Sequence, residues 1–161
     1  MRMSWRGPRL LTIVLTLAAT AGASNLPVTV SPGAEPATLA RTLQSKNATE
    51  AAASAYWLGL KGAAAVPQIP RLIAALGDDR TADAGVYRAD VKSGSKSTPG
   101  EEAAAALARI GKPAIDPLIT ALRASTSAVA RRNAAWALGQ IDTNHGSTSA
   151  AAPPPSTTRQ D

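Results

Sequence analysis

The 161-residue sequence has no cysteine, no phenylalanine and a single histidine, and its only other aromatic residues are two tyrosines and three tryptophans. Without cysteine there are no disulfides, no zinc thiolate sites and no thiol nucleophile, so the fold must be held by packing alone. The one histidine, His145, sits in "TNHGS" with only Asp142 nearby. A metal site needs several ligands held by rigid outer partners, so His145 reads as a solvated residue. Serines and threonines are plentiful, but the only bases available to activate them are carboxylates and lysines. "DDRTAD", with Asp78, Asp79 and Asp83, has neither the length nor the ligand alternation of a calcium loop. "GSKSTPG", Gly94 to Gly100, lacks the Gly-Lys-Ser/Thr order of a phosphate loop, and no strand precedes it. No catalytic, cofactor-binding or metal-binding residue is therefore assigned, and the chain is expected to be non-catalytic with no cofactor.

The ends differ in kind from the middle. Arg2, Arg6 and Arg9 precede or open an apolar run, Leu10 to Ala19, which ends in Ala21-Gly22-Ala23. Basic, then apolar, then small-x-small is the form of a secretory signal peptide, here residues 1–23. The run falls short of the roughly 20 apolar residues that cross a bilayer, so no membrane attachment is expected after cleavage, and a secreted or periplasmic location follows. Removing residues 1–23 leaves 17 − 3 = 14 basic residues against 11 acidic, so the formal charge falls from +6 to +3. That is a mildly basic surface and no case for nucleic acid. Residues 24–47, with Pro27, Pro32, Gly33 and Pro36, read as an extended leader. Residues 142–161, rich in Ser, Thr, Ala and Pro, cannot bury enough surface to offset their ordering entropy and read as a disordered tail. "NAT" at Asn47 to Thr49 matches a glycosylation acceptor but carries little weight in what reads as a bacterial chain.

Residues 48–141 hold everything that can fold, and they contain internal copies. "AVPQIPRLIAAL" (Ala65 to Leu76) overlays "GKPAIDPLITAL" (Gly111 to Leu122) at Pro67 and Pro113, Ile69 and Ile115, Leu72 and Leu118, Ile73 and Ile119, Ala75 and Ala121, and Leu76 and Leu122. Each copy has a proline where a helix can start and one apolar face. Ala134, Ala137, Leu138 and Ile141 form a stripe at i, i+3, i+4 and i+7. Ala103, Ala106, Leu107 and Ile110 repeat it, and Ala53, Tyr56, Trp57 and Leu60 repeat it with bulkier residues. Thr98 to Glu101 is a capping box with a proline start, Ser127 is placed to cap the last helix, and Gly62 and Gly111 lie where left-handed residues end helices. The expected helices are Thr49–Leu60, Pro67–Leu76, Pro99–Ile110, Pro113–Ala124 and Ala128–Ile141, interrupted by a polar insertion at 80–97 that is either a functional loop or disorder.

"ALARIGKPAIDPLITAL" followed by "RRNAAWALGQI" resembles HEAT repeats of the short bacterial, phycobilisome-lyase-like type. The resemblance implies an all-α fold, a short α-solenoid of stacked antiparallel helical hairpins, in which each hairpin mainly contacts its neighbours. It also implies an Asp–Arg ladder between repeats. Asp78 and Asp79 fit the acidic position in the first turn and Arg131 or Arg132 the basic one, but Ala124-Ser125-Thr126-Ser127 offers no acid to the last repeat. The fold is not specific for an activity. Iron-dependent hydroxylases of this fold use His-Glu pairs, which this chain lacks. A chromophore (bilin) lyase-like accessory role is the alternative, opposed by the export signal.

Two hairpins and a final helix leave an end uncovered, whereas roughly three repeats are needed for stability. The leader folding back, a second copy or a partner would supply the cover. The expected function is thus an exported protein-interaction or scaffold module that binds a protein partner or self-associates through the solenoid ends. The residues singled out for partner binding are Arg131, Arg132, Asn133, Trp136 and Gln140 on the open side of the last helix, since Trp and Arg dominate interface energetics. The competing reading of the same residues is arginine as solvated cover and Trp136 packed on Leu118 or Leu122.

Overall fold

A computed structural model describes residues 30–146, with side chains described through Ile141. The described residues form six α-helices: α1 (Pro36–Thr42), α2 (Ala48–Lys61), α3 (Ile69–Ala75), α4 (Pro99–Ile110), α5 (Ile115–Ala124) and α6 (Ala128–Gly146). Local chemistry sets most of the boundaries. The Asn47 side chain accepts from the Thr49 and Glu50 amides at the start of α2. Thr98 and Glu101 close a reciprocal capping box on α4. The Ser127 hydroxyl accepts from the Ala130 amide at 3.2 Å, and Gly62 and Gly111 end α2 and α4 at φ 53° and 80°. These satisfy backbone groups that a helix end otherwise leaves orphaned.

Four expectations need correction. The leader is not extended throughout: residues 36–42 form α1, started by Pro36, and bury Leu39 and Ala40 against α2. Its period was hidden because a helix this short shows barely two turns. The prolines at 67 and 113 do not open α-helices but lie in 3₁₀ turns, Gly62–Gln68 and Lys112–Ala114, with α3 and α5 beginning after them. The bulky third copy of the stripe is shifted by one residue. Registered on the terminating glycines, Leu58 rather than Trp57 matches Leu107, and both leucines are fully buried in one core. Leu60 is 54% exposed. Finally, α6 runs past Ile141 to Gly146, into the segment read as a tail. Residues 1–29 and 147–161, on which the expected signal peptide and the rest of the expected tail fall, lie outside the described residues.

The stack therefore holds three hairpins rather than two and a half: α1 with α2, α3 with α4, and α5 with α6. Helix α4 is central, packed against α2 on one side and α6 on the other, while α3 contacts α5. Leu39, Leu58, Leu72, Leu76, Leu107 and Leu118 are its largest buried aliphatic side chains. Alanines and one glycine let the helices approach closely. A Cβ on Gly59 would stand 2.8 Å from the Ala106 Cα. Part of the cover that the end of the stack requires thus comes from the chain's own α1.

The Asp–Arg ladder takes another form. Asp78 pairs with Arg80, not with Arg131 or Arg132. The Arg80 guanidinium also donates to the Lys46 and Ser45 carbonyls at 2.8 and 3.0 Å, which ties the middle hairpin to the turn of the first. Between the middle and last hairpins the buried link is neutral, and the Arg132–Glu101 pair at 3.9 Å lies out in solvent. The buried Asn133 amide donates to the Leu76 carbonyl at 2.9 Å, while within the middle hairpin Gly100 N–H donates to the Asp78 carbonyl at 2.9 Å.

The 80–97 insertion lies within the middle hairpin and is ordered. Strand β1 (Ala82–Asp83) pairs antiparallel with β2 (Lys96–Ser97), Ala82 opposite Ser97, and a 3₁₀ turn follows at Ala84–Val86. Asp83 N–H donates to the Thr49 hydroxyl on α2. The insertion buries Ala82, Ala84 and Tyr87 over Ala52 and Ala53, with Tyr56 and Trp57 packed against this second cluster.

Candidate interaction groove

The terminating glycines and the stripes place Tyr56 of α2, Ala105 of α4 and Trp136 of α6 at equivalent positions on three adjacent helices. The alanine leaves a trough with an aromatic wall on either side. The insertion fills the Tyr56 side: the Tyr87 ring lies 5.6 Å from that of Tyr56, and the guanidinium carbons of Arg88 and Arg109 each stand 5.4 Å from its centroid. The Trp136 side has no such filling. Trp136 is 49% exposed and lines a cavity of about 380 Å³ with Ala104, Ala105, Arg88, Arg132 and the acidic start of α4.

One turn before Ala105, Glu102 lies at the base of this cavity and is only 2% exposed. Its Oε1 accepts from the Tyr87 hydroxyl at 3.0 Å, the Ser97 hydroxyl at 3.0 Å and Arg88 Nη1 at 3.3 Å. Arg88 turns its remaining donors to Asp90, with Nε to Oδ1 at 3.1 Å and Nη2 to Oδ2 at 2.7 Å. Burial, followed by the neighbouring Glu102 charge, pushes the Tyr87 phenol well above its ordinary range, so it remains a donor. The bond to Asp90 raises Arg88 further, and Arg88 holds the Asp90 carboxyl below the usual range. Glu102 Oε2 is different. It is buried and has no hydrogen-bond partner, a state shared among the described side chains only by Trp57 Nε1.

The five residues singled out from the sequence do not share one role. Arg132 and Trp136 line the cavity, and Arg132 stands 3.9 Å from Glu101. Arg131 is turned to the preceding loop, where Nη1 donates to the Ser125 and Thr126 carbonyls at 2.9 and 3.2 Å. Asn133 also lines the cavity, but from its buried side rather than on the open face of the helix. It is 4% exposed and committed to Leu76, because its row on α6 faces α3 and α4. Gln140 is half-buried further along α6 and does not line the cavity. Trp136 is too exposed for the reading that packs it as core.

Sequence reasoning missed Glu102, Glu101, Arg88 and Ser97. The available signal was a second glutamate directly beside the capping-box glutamate and directly before the buried stripe at Ala103. A capping box explains only Glu101. Arg88 and Ser97 were hidden because the polar insertion has no helical period.

Among the described residues, no group of three or more His, Asp or Glu side chains is gathered as a metal site, and no helix is long and apolar enough to cross a membrane.

Stacked hairpins around a central helix define a helical-repeat protein. Residues 101–124, spanning α4 and α5, and residues 130–154, beginning in α6, match the PBS lyase HEAT-like repeat. Two segments of the chain thus match PBS lyase HEAT-like repeats, in keeping with the all-α stack of hairpins. No curated protein and no solved structure matches it.

Proposed function

We propose that this protein is an exported, non-catalytic scaffold that holds a protein partner in the groove between α4 and α6. The observation that carries the reading is Trp136, a large aromatic ring left 49% exposed on a cavity whose other walls are arginine, glutamate and alanine with Ser97 and Asn133. An exposed ring flanked by arginine is the composition of an interface hot spot, and concave, mostly apolar clefts with a few polar groups are where ligands seat. HEAT-like repeats build such surfaces by stacking. Export is supported by the order of basic, apolar and small residues in Met1 to Ala23.

A photo-crosslinking residue placed at 136, compared with one at the exposed Lys112 on the opposite turn, tests the proposal in the native envelope. A discrete partner adduct from position 136, absent from position 112 and lost with Arg132→Glu, is the expected result. Equal labelling from both positions would dispose of the groove. Sequencing of the mature N-terminus tests export, with Ser24 as the expected first residue.

A further inference from the structure

We infer that Glu102 is a positioning residue for the groove between α4 and α6: it latches the 80–97 insertion onto α4, and the latched insertion supplies one wall of that groove. The inference rests on the groove being a docking surface and adds how that surface is held in shape. The insertion closes on itself before it meets the helices. Strand β1 pairs with β2, and Ala84 N–H donates to the Ser95 carbonyl at 2.8 Å. The chain then passes so near Gly85 that a Cβ there would stand 2.8 Å from the Ser93 Cα. A loop closed by its own contacts shifts as a unit.

Where this unit meets α4, three donors from separate parts of it converge on one atom. The Tyr87 hydroxyl, the Ser97 hydroxyl and Arg88 Nη1 reach Glu102 Oε1 at 3.0, 3.0 and 3.3 Å, on a side chain only 2% exposed. Bonds to an ionised acceptor are the strong kind, and releasing them would leave a carboxylate buried without its donors, which is costly. Two of the three donors also face the groove. Arg88 and Ser97 line the cavity beside Trp136, and the Arg88 guanidinium carbon stands 5.4 Å from the Tyr56 ring on the other wall of the trough. Tyr87 is the informative one. It packs against Tyr56 and does not line the cavity, so its hydroxyl acts on the groove through Glu102 and the insertion that Glu102 holds.

The chain has no cysteine of its own, so spin labels can be placed by Lys92→Cys in the insertion and Ala135→Cys on α6, both at exposed positions. Pulsed electron resonance on the purified protein then reads the distance from the insertion to the groove. A single narrow distribution is expected with the latch intact. A broader one, extending to longer distances, is expected with Tyr87→Phe and Ser97→Ala together, which remove two hydroxyls and no carbon. Thr49→Val takes away the acceptor of Asp83 N–H without touching Glu102 and should keep the narrow distribution. Because a partner sees only the latched fraction, its crosslink from position 136 should fall about fivefold in the hydroxyl variant. Should that variant fail to fold, Tyr87→Phe alone carries the same test. An unchanged distribution in the hydroxyl variant overturns the inference, and so does equal broadening by Thr49→Val. Broadening with an undiminished crosslink also overturns it, while leaving the docking surface in place. If position 136 captures no partner even with the latch intact, the docking surface fails, and the distance distributions still decide whether Glu102 positions the wall.

Discussion

The two joints of the stack are built on the same helix and are finished differently. On the α2 side of α4, the insertion covers the groove with Tyr87 and Arg88, and the charged Arg80 guanidinium braces the hairpins through two carbonyls. On the α6 side Trp136 is left 49% exposed, and the buried brace is the neutral amide of Asn133. Equivalent aromatic positions thus become largely covered in one groove and half in solvent in the other. Repetition of a backbone therefore does not repeat a site, because the insertion breaks the symmetry between two nearly equal grooves.

Substitutions in the shared helix should damage both joints at once. Leu107 is fully buried in the cluster common to all three hairpins, so Leu107→Ala should cost about 2–5 kcal/mol in denaturant unfolding. An unchanged midpoint would remove it from the core. The second joint alone is broken by Asn133→Ala. That variant leaves the Leu76 carbonyl buried without its donor and should cost about 1–3 kcal/mol, with faster hydrogen exchange in α5 and α6 than in α1 and α2. Uniform loss across the chain would mean that the joints are not separable.

The sharpest contrast pairs the equivalent rings. Tyr56→Ala removes a side chain packed under Tyr87, Trp57 and two guanidiniums and should cost about 2–3 kcal/mol. Trp136→Ala removes a larger ring but one that is half in solvent, and should change stability by no more than about 0.5 kcal/mol while impairing partner binding. Thermal unfolding of the two variants side by side reads the difference. Similar losses would mean that Trp136 is core.

Which parts were legible follows from this asymmetry. Helices α2, α4 and α6 announce themselves through a cap, a terminating glycine or an apolar stripe, because those features are local. Helix α1 escaped because Leu39 and Ala40 make sense only against α2, a tertiary fact. The shifted stripe at Tyr56, Trp57 and Leu60 misled for the same reason. Hydrophobicity marks a face as buried but does not say by what, and here the cover is the insertion rather than a neighbouring helix. Asn133 looked like surface because its type is polar, although the buried carbonyl it serves, at Leu76, lies 2.9 Å away across the stack. Glu102 was invisible as a site because its hydroxyl partners come from a segment without periodicity.

The smallest expected effect distinguishes the braces by their charge. Arg80, through its bond to Asp78, holds the Asp78 carboxyl below its ordinary value. A carboxyl depressed in the folded state stabilises fully above its unfolded pKa, and that contribution is lost as pH falls through the lower folded value. The first joint should thus loosen in acid, below the usual carboxylate range, whereas the Asn133 brace has nothing to titrate. Because the Arg80 side chain is 42% exposed, solvent and salt screen the pair, and the effect should stay under about 1 kcal/mol. Asp78→Asn should flatten this part of the stability–pH profile and leave the hydrogen-exchange rates of α5 and α6 as they were. Acid loosening that spared α1 and α2 would remove the Arg80–Asp78 pair as the brace of the first joint.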